Sequence, residues 1–290
     1  MIKKAIILAG GYGSRLNPVT QVINKHLLPV FDKPMIYYSL STLMECNVKN
    51  ILIITNVNEK SHYKKLLGNG ENFGIKISYA EQVKPKGLPD AFILGKKFIG
   101  KDKALLLLGD NFFHGKSLAK FFKRNLNLKK GCRIFTYPVK NPHDYGVLER
   151  KKNEFKILEK PKTTKSKEAI VGIYMFDNTV VKNVNKLKPS KRSELEITDL
   201  INIYNKNKQI RVSKIGSGNK WIDTGNPKNL LIAANYVKTL QDRQNLMIGC
   251  PEEIAIKNKW TNKTKILKRL KKYKNSNYSN YLKKKINRKN

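Results

Sequence analysis

A glycine-rich loop directly after the first apolar run constrains this 290-residue chain more than any other feature. The apolar run ends at Leu8, and three loop glycines and two cations follow it: Gly10, Gly11, Gly13, Arg15 and Lys25. Glycine permits positive φ and a close approach of the backbone, and successive backbone N–H groups bind anionic oxygens. Because two cations follow so closely, the loop predicts a cradle for a triphosphate.

The spacing of these glycines excludes two common phosphate-binding motifs. A dinucleotide fingerprint G-x-G-x-x-G, counted from Gly11, requires its third glycine where Leu16 stands. A P-loop ends in G-K-[ST], which this segment does not contain. The alternative interpretation is an ordinary glycine turn between a strand and a helix, with Arg15 and Lys25 as surface charges.

The length and hydropathy of the chain are typical of a globular protein. It is long enough to bury roughly three quarters of its unfolded surface, as one large α/β domain or two small ones. No segment approaches the ~20 apolar residues that span a bilayer, and the N-terminal apolar run is too short for a signal peptide. We therefore expect a cytoplasmic location and no membrane partner.

The cysteines and histidines indicate neither disulfides nor a metal site. Cys46, Cys132 and Cys250 are odd in number and far apart, and no C-x-x-C spacing joins any two of them. The four histidines are equally scattered, without the helical spacing of a zinc motif. We expect the cysteines to be small core residues.

A formal net charge of +38 raises the question of a nucleic-acid partner. The lysines are spread through almost every segment, however, and no recognisable nucleic-acid-binding motif is present. Only the C-terminal tail is distinctive, since no acidic residue follows Glu253 while basic residues recur up to Lys289. We interpret the tail as a solvated helix face with a frayed end, and we expect no nucleic-acid partner.

Strand-like apolar runs alternate with helical patterns, which indicates parallel βαβ units. The runs predict strands at residues 5–9, 50–55, 75–80, 104–108, 132–137, 146–149, 155–159 and 170–176. Helical spacing predicts helices at residues 35–44, 195–204 and 230–240. The alternation loosens beyond Phe121, which favours a mixed sheet in one catalytic unit with a helical appendage at the C-terminus.

Asp110 follows the leucine-rich strand predicted at residues 104–108, in the sequence Gly109-Asp110-Asn111. Four consecutive leucines favour a strand that is buried on both faces. Ligands of open α/β sheets bind at the carboxyl ends of strands, so Asp110 is predicted to lie at a functional site. The alternative is an aspartate that caps the next helix.

Further motifs, together with the glycine loop, resemble those of a known family. They include Gly87-Leu88, Asp144-Tyr145-Gly146-Val147, Glu159-Lys160-Pro161 and Trp221-Ile222-Asp223-Thr224-Gly225. From residue 6 to about residue 282 the chain resembles the sugar-nucleotide pyrophosphorylases, most closely the short thymidylyltransferases. The resemblance implies a Rossmann-like α/β nucleotidyltransferase fold with a mixed, mostly parallel central sheet flanked by helices.

The same resemblance implies how the chain is divided. We expect a nucleotidyltransferase catalytic domain at residues 1–240, with the nucleotide bound by residues 1–120 and the sugar by residues 121–240. Residues 241–290 would form a C-terminal helical extension with the basic tail.

The reaction implied by the resemblance is attack of α-D-glucose 1-phosphate on the α-phosphorus of dTTP, giving dTDP-glucose and pyrophosphate, with Mg²⁺ required. Carried onto this sequence, Arg15 holds the β- and γ-phosphates, and Lys25 lies nearer the attacked phosphorus. Asp110 and Asp223 would hold Mg²⁺, which prefers carboxylate oxygens. The sugar phosphate is mostly dianionic at pH 7, since its second pKa is about 6, and it needs no general base.

The family's binding residues also map onto this chain. Gln82 can pair with the donor and acceptor edge of thymine or uracil, and Gly87 lets backbone groups approach that edge. The implied nucleotide-binding set is Leu8, Gly10, Gly11, Gly13, Arg15, Lys25, Gln82, Gly87 and Asp110. The implied sugar-phosphate set is Tyr145, Gly146, Glu159, Lys160, Ile170, Tyr174 and Arg192, in which Glu159 accepts sugar hydroxyls and Lys160 and Arg192 contact the phosphate.

The chain departs from the family pattern in three places. His26 stands where glutamine is frequent, Pro89-Asp90 replaces a small and polar pair, and Lys167-Glu168 replaces an asparagine followed by an aromatic residue. These departures bear on details of sugar preference and leave the reaction type unaffected.

The resemblance also implies a homotetramer with a second nucleotide site between subunits, where dTDP-sugars inhibit. His114, Gly115, Cys250 and Glu253 match that region. Two alternatives stay open on sequence grounds. One is the same reaction with UTP or another sugar 1-phosphate, and the other is a non-catalytic basic protein that binds anions or nucleic acid on the same fold.

Overall fold

Strands and helices alternate along the described residues, 1–151 and 154–287, of this computed structural model. The strands are β1 (Lys4–Ala9), β2 (Pro29–Val30), β3 (Lys33–Pro34), β4 (Asn50–Asn56), β5 (Lys76–Gln82), β6 (Ala104–Leu108), β7 (Asn111–His114), β8 (Cys132–Pro138), β9 (Gly146–Lys151), β10 (Glu154–Glu159), β11 (Glu168–Phe176), β12 (Ile210–Lys214) and β13 (Lys220–Asp223). The helices are α1 (Met35–Glu45), α2 (Lys60–Leu67), α3 (Asp90–Leu94), α4 (Lys96–Ile99), α5 (Leu118–Asn125), α6 (Val180–Val184), α7 (Ile197–Lys206), α8 (Pro227–Gln244), α9 (Pro251–Lys257), α10 (Lys263–Leu270) and α11 (Asn277–Asn287).

One mixed sheet of nine strands forms the centre of the molecule, in the order β10-β9-β11-β6-β1-β4-β5, with β8 and β12 joined beside β11. Strand β1 pairs in parallel with β4 and β6, and β4 pairs in parallel with β5. Strand β11 is antiparallel to β6, β8 and β9. The predicted mixed sheet flanked by helices is therefore confirmed.

The central strands are buried because helices cover both faces of the sheet. Alternate residues of a strand point to opposite faces. Ile7 of β1 packs in the same apolar cluster as Leu40 of α1. Ile6 packs on the other side, with Phe92 of α3 and Leu200 of α7. This two-sided burial explains why β1, β4 and β6 are continuous apolar runs.

A separate two-stranded sheet lies beyond the carboxyl end of β6. Its strands β7 and β13 pair antiparallel, with Asn111 opposite Asp223. These strands were not predicted from the sequence, because each has only four residues and its partner is distant in sequence. Their pairing determines the geometry of the site described below.

Helix α7 begins two residues later than predicted, at Ile197 and not at residue 195. Leu195 instead forms a parallel bridge with Gly87, and its N–H donates to the Lys86 carbonyl at 2.8 Å. The Glu196 carboxylate pairs with Arg192 at 2.7 Å and does not cap the helix. Tertiary pairing thus overrides the local helical pattern at this end.

A buried ion pair joins the C-terminal helices α9 and α10 and connects them to α1. Arg269 of α10 contacts Glu252 of α9 at 2.9 Å, and their side chains are 9% and 0% exposed. Arg269 also donates to the Tyr37 hydroxyl of α1 at 3.1 Å. The predicted boundary after residue 240 falls inside α8, and the division into two domains stays a prediction.

The cysteines are buried free thiols, as expected for core residues. Among the described residues, none of the helices is both long and apolar enough to cross a membrane.

Candidate active site

The glycine loop turns sharply between β1 and the Lys25 segment. Gly13 has φ 66°, and a Cβ there would lie 2.9 Å from the Lys25 Cβ, so only glycine suits this position. A Cβ on Gly10 would lie 2.7 Å from Oε1 of Gln82. Gly11 has no neighbour within 4 Å of such an atom and lines the adjacent cleft. The loop thus packs on Lys25 and Gln82 and exposes Gly11 to a ligand.

Asp110 and Asp223 come together because β7 and β13 pair. Asp110 immediately precedes β7, and Asp223 ends β13. Thr224 fastens the two segments, since its backbone N–H and its hydroxyl donate to the Asp110 carbonyl at 2.9 and 2.6 Å. Two aspartates that are distant in sequence therefore lie side by side, and Asp110 does not serve as a helix cap.

The four side chains predicted to act on the phosphates converge around Gly225. A Cβ on Gly225 would lie 2.7 Å from Nη2 of Arg15, 2.9 Å from Oδ1 of Asp223 and 3.4 Å from Oδ2 of Asp110. Nζ of Lys25 contacts the same Asp110 oxygen at 2.5 Å. Arg15 is exposed and forms no ion pair or hydrogen bond with other described residues, so its guanidinium is available to a ligand.

The two carboxylates differ electrostatically. Burial and the neighbouring charge of Asp110 raise the pKa of Asp223, and Arg15 and Lys25 offset only part of this effect. Burial acts in the same direction on Asp110, but the Lys25 ammonium and hydrogen bonds to the ionised form outweigh it and lower the pKa of Asp110. Asp110 is therefore ionised, and a second negative charge beside it is costly without a further cation.

Asn111 is a site residue to which the sequence analysis gave no role. Its Nδ2 donates to Oδ1 of Asp110 at 2.9 Å. Its Oδ1 accepts from Nε1 of Trp221 at 2.6 Å and from the Gly172 N–H at 3.0 Å. The residue is 4% exposed, and its hydrogen bond to Asp110 orients that carboxylate. Its place directly after Asp110 in sequence was the signal that could have identified it.

Arg15, Asp110, Asn111 and Asp223 line a cleft of about 290 Å³. Its lining includes both predicted binding sets in large part: Leu8, Gly11, Arg15, Gln82, Gly87, Asp110, Tyr145, Gly146, Glu159, Lys160, Ile170, Tyr174, Arg192 and Asp223. Gly10, Gly13 and Lys25 are not part of that lining: Gly10 packs on Gln82, Gly13 packs on Lys25, and Lys25 contacts Asp110. The structure therefore gathers most of the predicted nucleotide and sugar residues around one cavity.

Arg192, which also lines the cleft, is held by two glutamates. Its guanidinium contacts Glu159 at 3.1 Å and Glu196 at 2.7 Å. Thr198 donates to the second oxygen of Glu159 at 3.2 Å. Lys160 also lines the cleft but forms no ion pair within residues 1–151 and 154–287. The cleft thus presents an unpaired ammonium at Lys160 and a largely neutralised guanidinium at Arg192.

Aromatic side chains also line the cleft. The rings of Tyr145 and Trp221 meet edge to face, with centroids 5.1 Å apart. Burial and the nearby Asp223 raise the pKa of Tyr145 to about 12, so its hydroxyl stays protonated. Tyr174, 4% exposed, lines the wall formed by β11.

The residues matched to a second nucleotide site do not form one cluster in this single chain. His114 and Gly115 line a separate cavity of about 500 Å³. Cys250 packs among the C-terminal helices, and Glu253 accepts a hydrogen bond from Tyr281 at 2.7 Å. A regulatory role for these residues stays a prediction.

Two of the departures from the family pattern prove to be structural. Burial and the Lys25 charge lower the pKa of His26 to about 3, so its ring is neutral where it packs against Gly109. Glu168 lies outside the cleft lining and contacts Arg150 and Thr136 at 3.1 Å. The structure gives no support to the expectation that Glu168 bears on sugar preference.

Comparisons with known proteins agree with this geometry. Residues 4–239 match the family described as nucleotidyl transferase. A glucose-1-phosphate thymidylyltransferase of Neisseria meningitidis is 46% identical over 281 residues, which are 96% of this chain and 98% of that protein. Among solved structures, a Bacillus anthracis chain assigned as a glucose-1-phosphate thymidylyltransferase, in complex with a sucrose, matches with a TM-score of 0.74 and 38% identity, covering 80% of this chain and 94% of that one.

A UDP-glucose pyrophosphorylase complexed with UDP-glucose also matches, with a TM-score of 0.70 and 25% identity over 82% of this chain and 99% of that one. The long, nearly complete match to the Neisseria enzyme and the family match over residues 4–239 decide the classification. The chain therefore belongs to the nucleotidyl transferase family, among its glucose-1-phosphate thymidylyltransferases.

Proposed function

We propose that this protein converts dTTP and α-D-glucose 1-phosphate into dTDP-glucose and pyrophosphate. The observation that carries the proposal is the convergence of Arg15, Lys25, Asp110 and Asp223 at a cleft that Lys160 also lines. The names of the similar proteins, glucose-1-phosphate thymidylyltransferases, support the same substrates.

The reaction is a single displacement at phosphorus. A phosphate oxygen of the sugar phosphate forms a bond to the α-phosphorus, and the bond from that phosphorus to the bridging oxygen of the β-phosphate breaks. Pyrophosphate leaves with the electron pair. The nucleophile is already largely dianionic at neutral pH, so no side chain has to remove a proton. The protein has to bring two anions together and hold them in line.

The cations near the glycine loop offset the repulsion between these two anions. Arg15 carries an unpaired guanidinium, and its planar set of donors suits the β- and γ-phosphates that leave as pyrophosphate. Lys25 is 8% exposed and fixed against Asp110, so its charge is held rigidly beside the α-phosphate. Rigid charges stabilise a transition state more than mobile ones, since they need no reorganisation.

Asp110 and Asp223 have the chemistry of a divalent-cation site. Within the described residues no cluster of three metal-ligating side chains occurs, so a cation held by this pair would take its other ligands from the substrate and water. Mg²⁺ is commonly held in this way, by one or two carboxylates together with substrate phosphates and water. The two carboxylates lie close together at Gly225, and a cation between them would relieve their mutual repulsion. When bound, Mg²⁺ neutralises the charge on the phosphate oxygens.

Other residues of the same cleft bind the sugar phosphate. Lys160, which forms no ion pair among the described residues, binds the phosphate. Glu159 accepts hydrogen bonds from sugar hydroxyls, and Arg192 holds Glu159 in place at 3.1 Å. Arg192 thus acts on the sugar mainly through Glu159, a smaller role for it than direct phosphate binding.

The nearest alternative is the same reaction with UTP, which the similarity to a UDP-glucose pyrophosphorylase favours. Thymine and uracil differ by one methyl group, and such a group contributes about 1–3 kcal/mol of discrimination. The test is pyrophosphate release by the purified protein with dTTP or UTP and a panel of sugar 1-phosphates, with and without Mg²⁺. The proposal expects the highest kcat/KM for dTTP with glucose 1-phosphate, and no release with any pair would refute it.

A homotetramer is part of the proposal. Leu231 and Ile232 on α8 are 62% and 42% exposed, which leaves an apolar face uncovered in the single chain. Light scattering is expected to give four times the chain mass of 33.3 kDa, and a monomer would contradict this.

A further inference from the structure

Gln82, the proposed base-recognition residue, has a buried carboxylate as its partner. Gln82 ends strand β5, and Asp90 begins helix α3. Nε2 of Gln82 donates to Oδ2 of Asp90 at 2.8 Å. The two residues are 3% and 7% exposed, so water does not compete for this contact. Asp90 belongs to the Pro89-Asp90 pair in which the chain departs from its family.

A carboxylate fixes which way the Gln82 amide faces. The oxygen and nitrogen of a primary amide are similar in size, so packing alone does not choose between the two orientations. An ionised carboxylate only accepts hydrogen bonds, and it therefore selects the orientation that turns the amino group toward Asp90. The amide oxygen then faces away from Asp90, and it lies beside Gly10 of the glycine loop.

The orientation matters because Gln82 would contact the nucleotide base in the proposed function. Gln82 lines the cleft together with Gly87 and Leu88. In the part of the chain that the structure describes, Oε1 of Gln82 accepts no hydrogen bond. Gln82 therefore contributes to the cleft an amide whose oxygen is not engaged by those residues.

Asp90 sits on a rigid support. Its backbone N–H donates to the Gly87 carbonyl at 3.3 Å, so both residues belong to one turn. Gly87 has φ 95°, and a Cβ there would lie 2.0 Å from the Leu195 carbonyl oxygen. The turn is therefore packed closely against Leu195, with which Gly87 forms a parallel bridge. The backbone that carries the carboxylate is therefore fixed in the cleft wall.

We propose that Asp90 is a positioning residue that holds Gln82 as a hydrogen-bond acceptor toward N3 of the base, and so selects thymine and uracil against cytosine. This inference rests on the proposed function. Thymine and uracil carry N3–H, a donor that matches the fixed oxygen. Cytosine carries a lone pair at N3 and meets that oxygen acceptor to acceptor, which leaves a buried polar group unpaired. Asp90 thereby acts on nucleotide selectivity and not on sugar preference.

The test compares kcat/KM for dTTP and dCTP in wild type and Asp90→Asn. An asparagine can accept from the Gln82 amino group or donate to its oxygen, so the amide is free to adopt either orientation. The dTTP to dCTP ratio is expected to fall about tenfold, mainly through the nucleotide KM, with the KM for glucose 1-phosphate unchanged. Asp90→Glu, which still only accepts, is expected to retain more of the ratio than Asp90→Asn.

The control is Glu81→Gln. Glu81 directly precedes Gln82, and its carboxylate pairs with Lys60 at 3.1 Å. The dTTP to dCTP ratio of this variant is expected to stay at the wild-type value.

A double-mutant cycle adds the decisive readout. In a Gln82→Ala background, Asp90→Asn is expected to change the ratio no further, because Asp90 acts through Gln82. If the asparagine variant does not fold, Asp90→Ser offers the same ambiguity of donor and acceptor in a smaller side chain.

An unchanged ratio in a folded Asp90 variant overturns the inference and leaves the proposed function standing. An equal effect with and without Gln82 also overturns it. A wild-type protein that turns over neither dTTP nor UTP overturns both.

Discussion

Asn111 lies opposite Asp223 in the antiparallel pairing of β7 and β13. The same residue donates to Asp110 at 2.9 Å, so it orients one carboxylate by a hydrogen bond and places the other by strand register. Two aspartates that are distant in sequence reach Gly225 together for this reason. A short pair of strands thus determines the geometry on which the proposed chemistry depends.

Asp223→Asn is expected to lower kcat by about 100-fold or more, because it removes charge from the cation site. The pKa of Asp223 is higher in the folded protein than in the unfolded chain. Its ionised form therefore lowers stability at neutral pH, and asparagine removes that cost while keeping the hydrogen bond from the Gly225 N–H. Steady-state kinetics and Tm check this together, and a drop in Tm that parallels the loss of activity would count against it.

Arg15→Ala is expected to reduce kcat/KM for the nucleotide about 100-fold with little change in Tm. In the proposed reaction the exposed guanidinium would hold the phosphates, and it forms no ion pair or hydrogen bond with other described residues. Arg243→Ala removes an equally exposed arginine from α8 and serves as the control for net charge. The measurement is pyrophosphate release at varied nucleotide concentration. Similar losses in both variants would show that Arg15 contributes only general charge.

Lys160→Ala and Arg192→Ala are expected to differ. Lys160 forms no ion pair in the described structure, so its loss should raise the KM for glucose 1-phosphate about tenfold without changing Tm. Loss of Arg192 leaves Glu159 and Glu196 unpaired beside each other, so both Tm and sugar binding should fall. Thermal melts and substrate kinetics separate the two cases, and the reverse pattern would contradict the assignment.

Glu168 gives a prediction for the pH dependence of stability. Burial alone raises its pKa, but hydrogen bonds from Arg150 and Thr136 outweigh burial and lower the pKa below its usual range. A group of this kind stabilises the fold above its unfolded pKa and loses that effect as pH falls through the folded pKa. Glu168→Gln should therefore destabilise the protein at pH 7 and have little effect near pH 3. Chemical denaturation at several pH values measures it, and a difference independent of pH would be inconsistent with this cause.

Arg269→Ala tests how the C-terminal extension is held. Removing one partner of a buried ion pair costs about 3 kcal/mol or more, because Glu252 is then left buried without a counter-charge. Lys268→Ala, one residue earlier and exposed, should cost almost nothing. Urea titration compares the two variants. Equal stabilities would mean that the extension does not fold as one unit with α1.

The sequence predicted those parts of the fold that depend on local pattern. Strands β1, β4 and β6 were evident because burial on both faces demands continuous apolar runs, as at Ile6 and Leu106. The residues proposed to contact the phosphates followed from the glycine loop and from the family resemblance, and their roles stay predictions. The convergence of Arg15 with Asp223 could be expected from the resemblance but not from spacing, since it depends on β7 and β13.

The features that could not be predicted from the sequence depend on tertiary pairing. Asn111 was given no role, because its contacts with Trp221 and Gly172 come from separate strands. The predicted start of α7 was wrong because Leu195 pairs with Gly87 before the helix begins. Asp90 was noticed only as a departure, since nothing in the sequence shows that its carboxylate reaches Gln82.

The fate of the α-phosphate of dTTP tests the central claim most directly. Purified protein is incubated with Mg²⁺, glucose 1-phosphate and dTTP labelled at the α-phosphorus, and the products are separated. Transfer around Arg15, Lys25, Asp110 and Asp223 predicts that the label appears in dTDP-glucose, with one pyrophosphate released for each. Label in dTMP or dTDP with the sugar phosphate unreacted, or no reaction at all, would contradict the account.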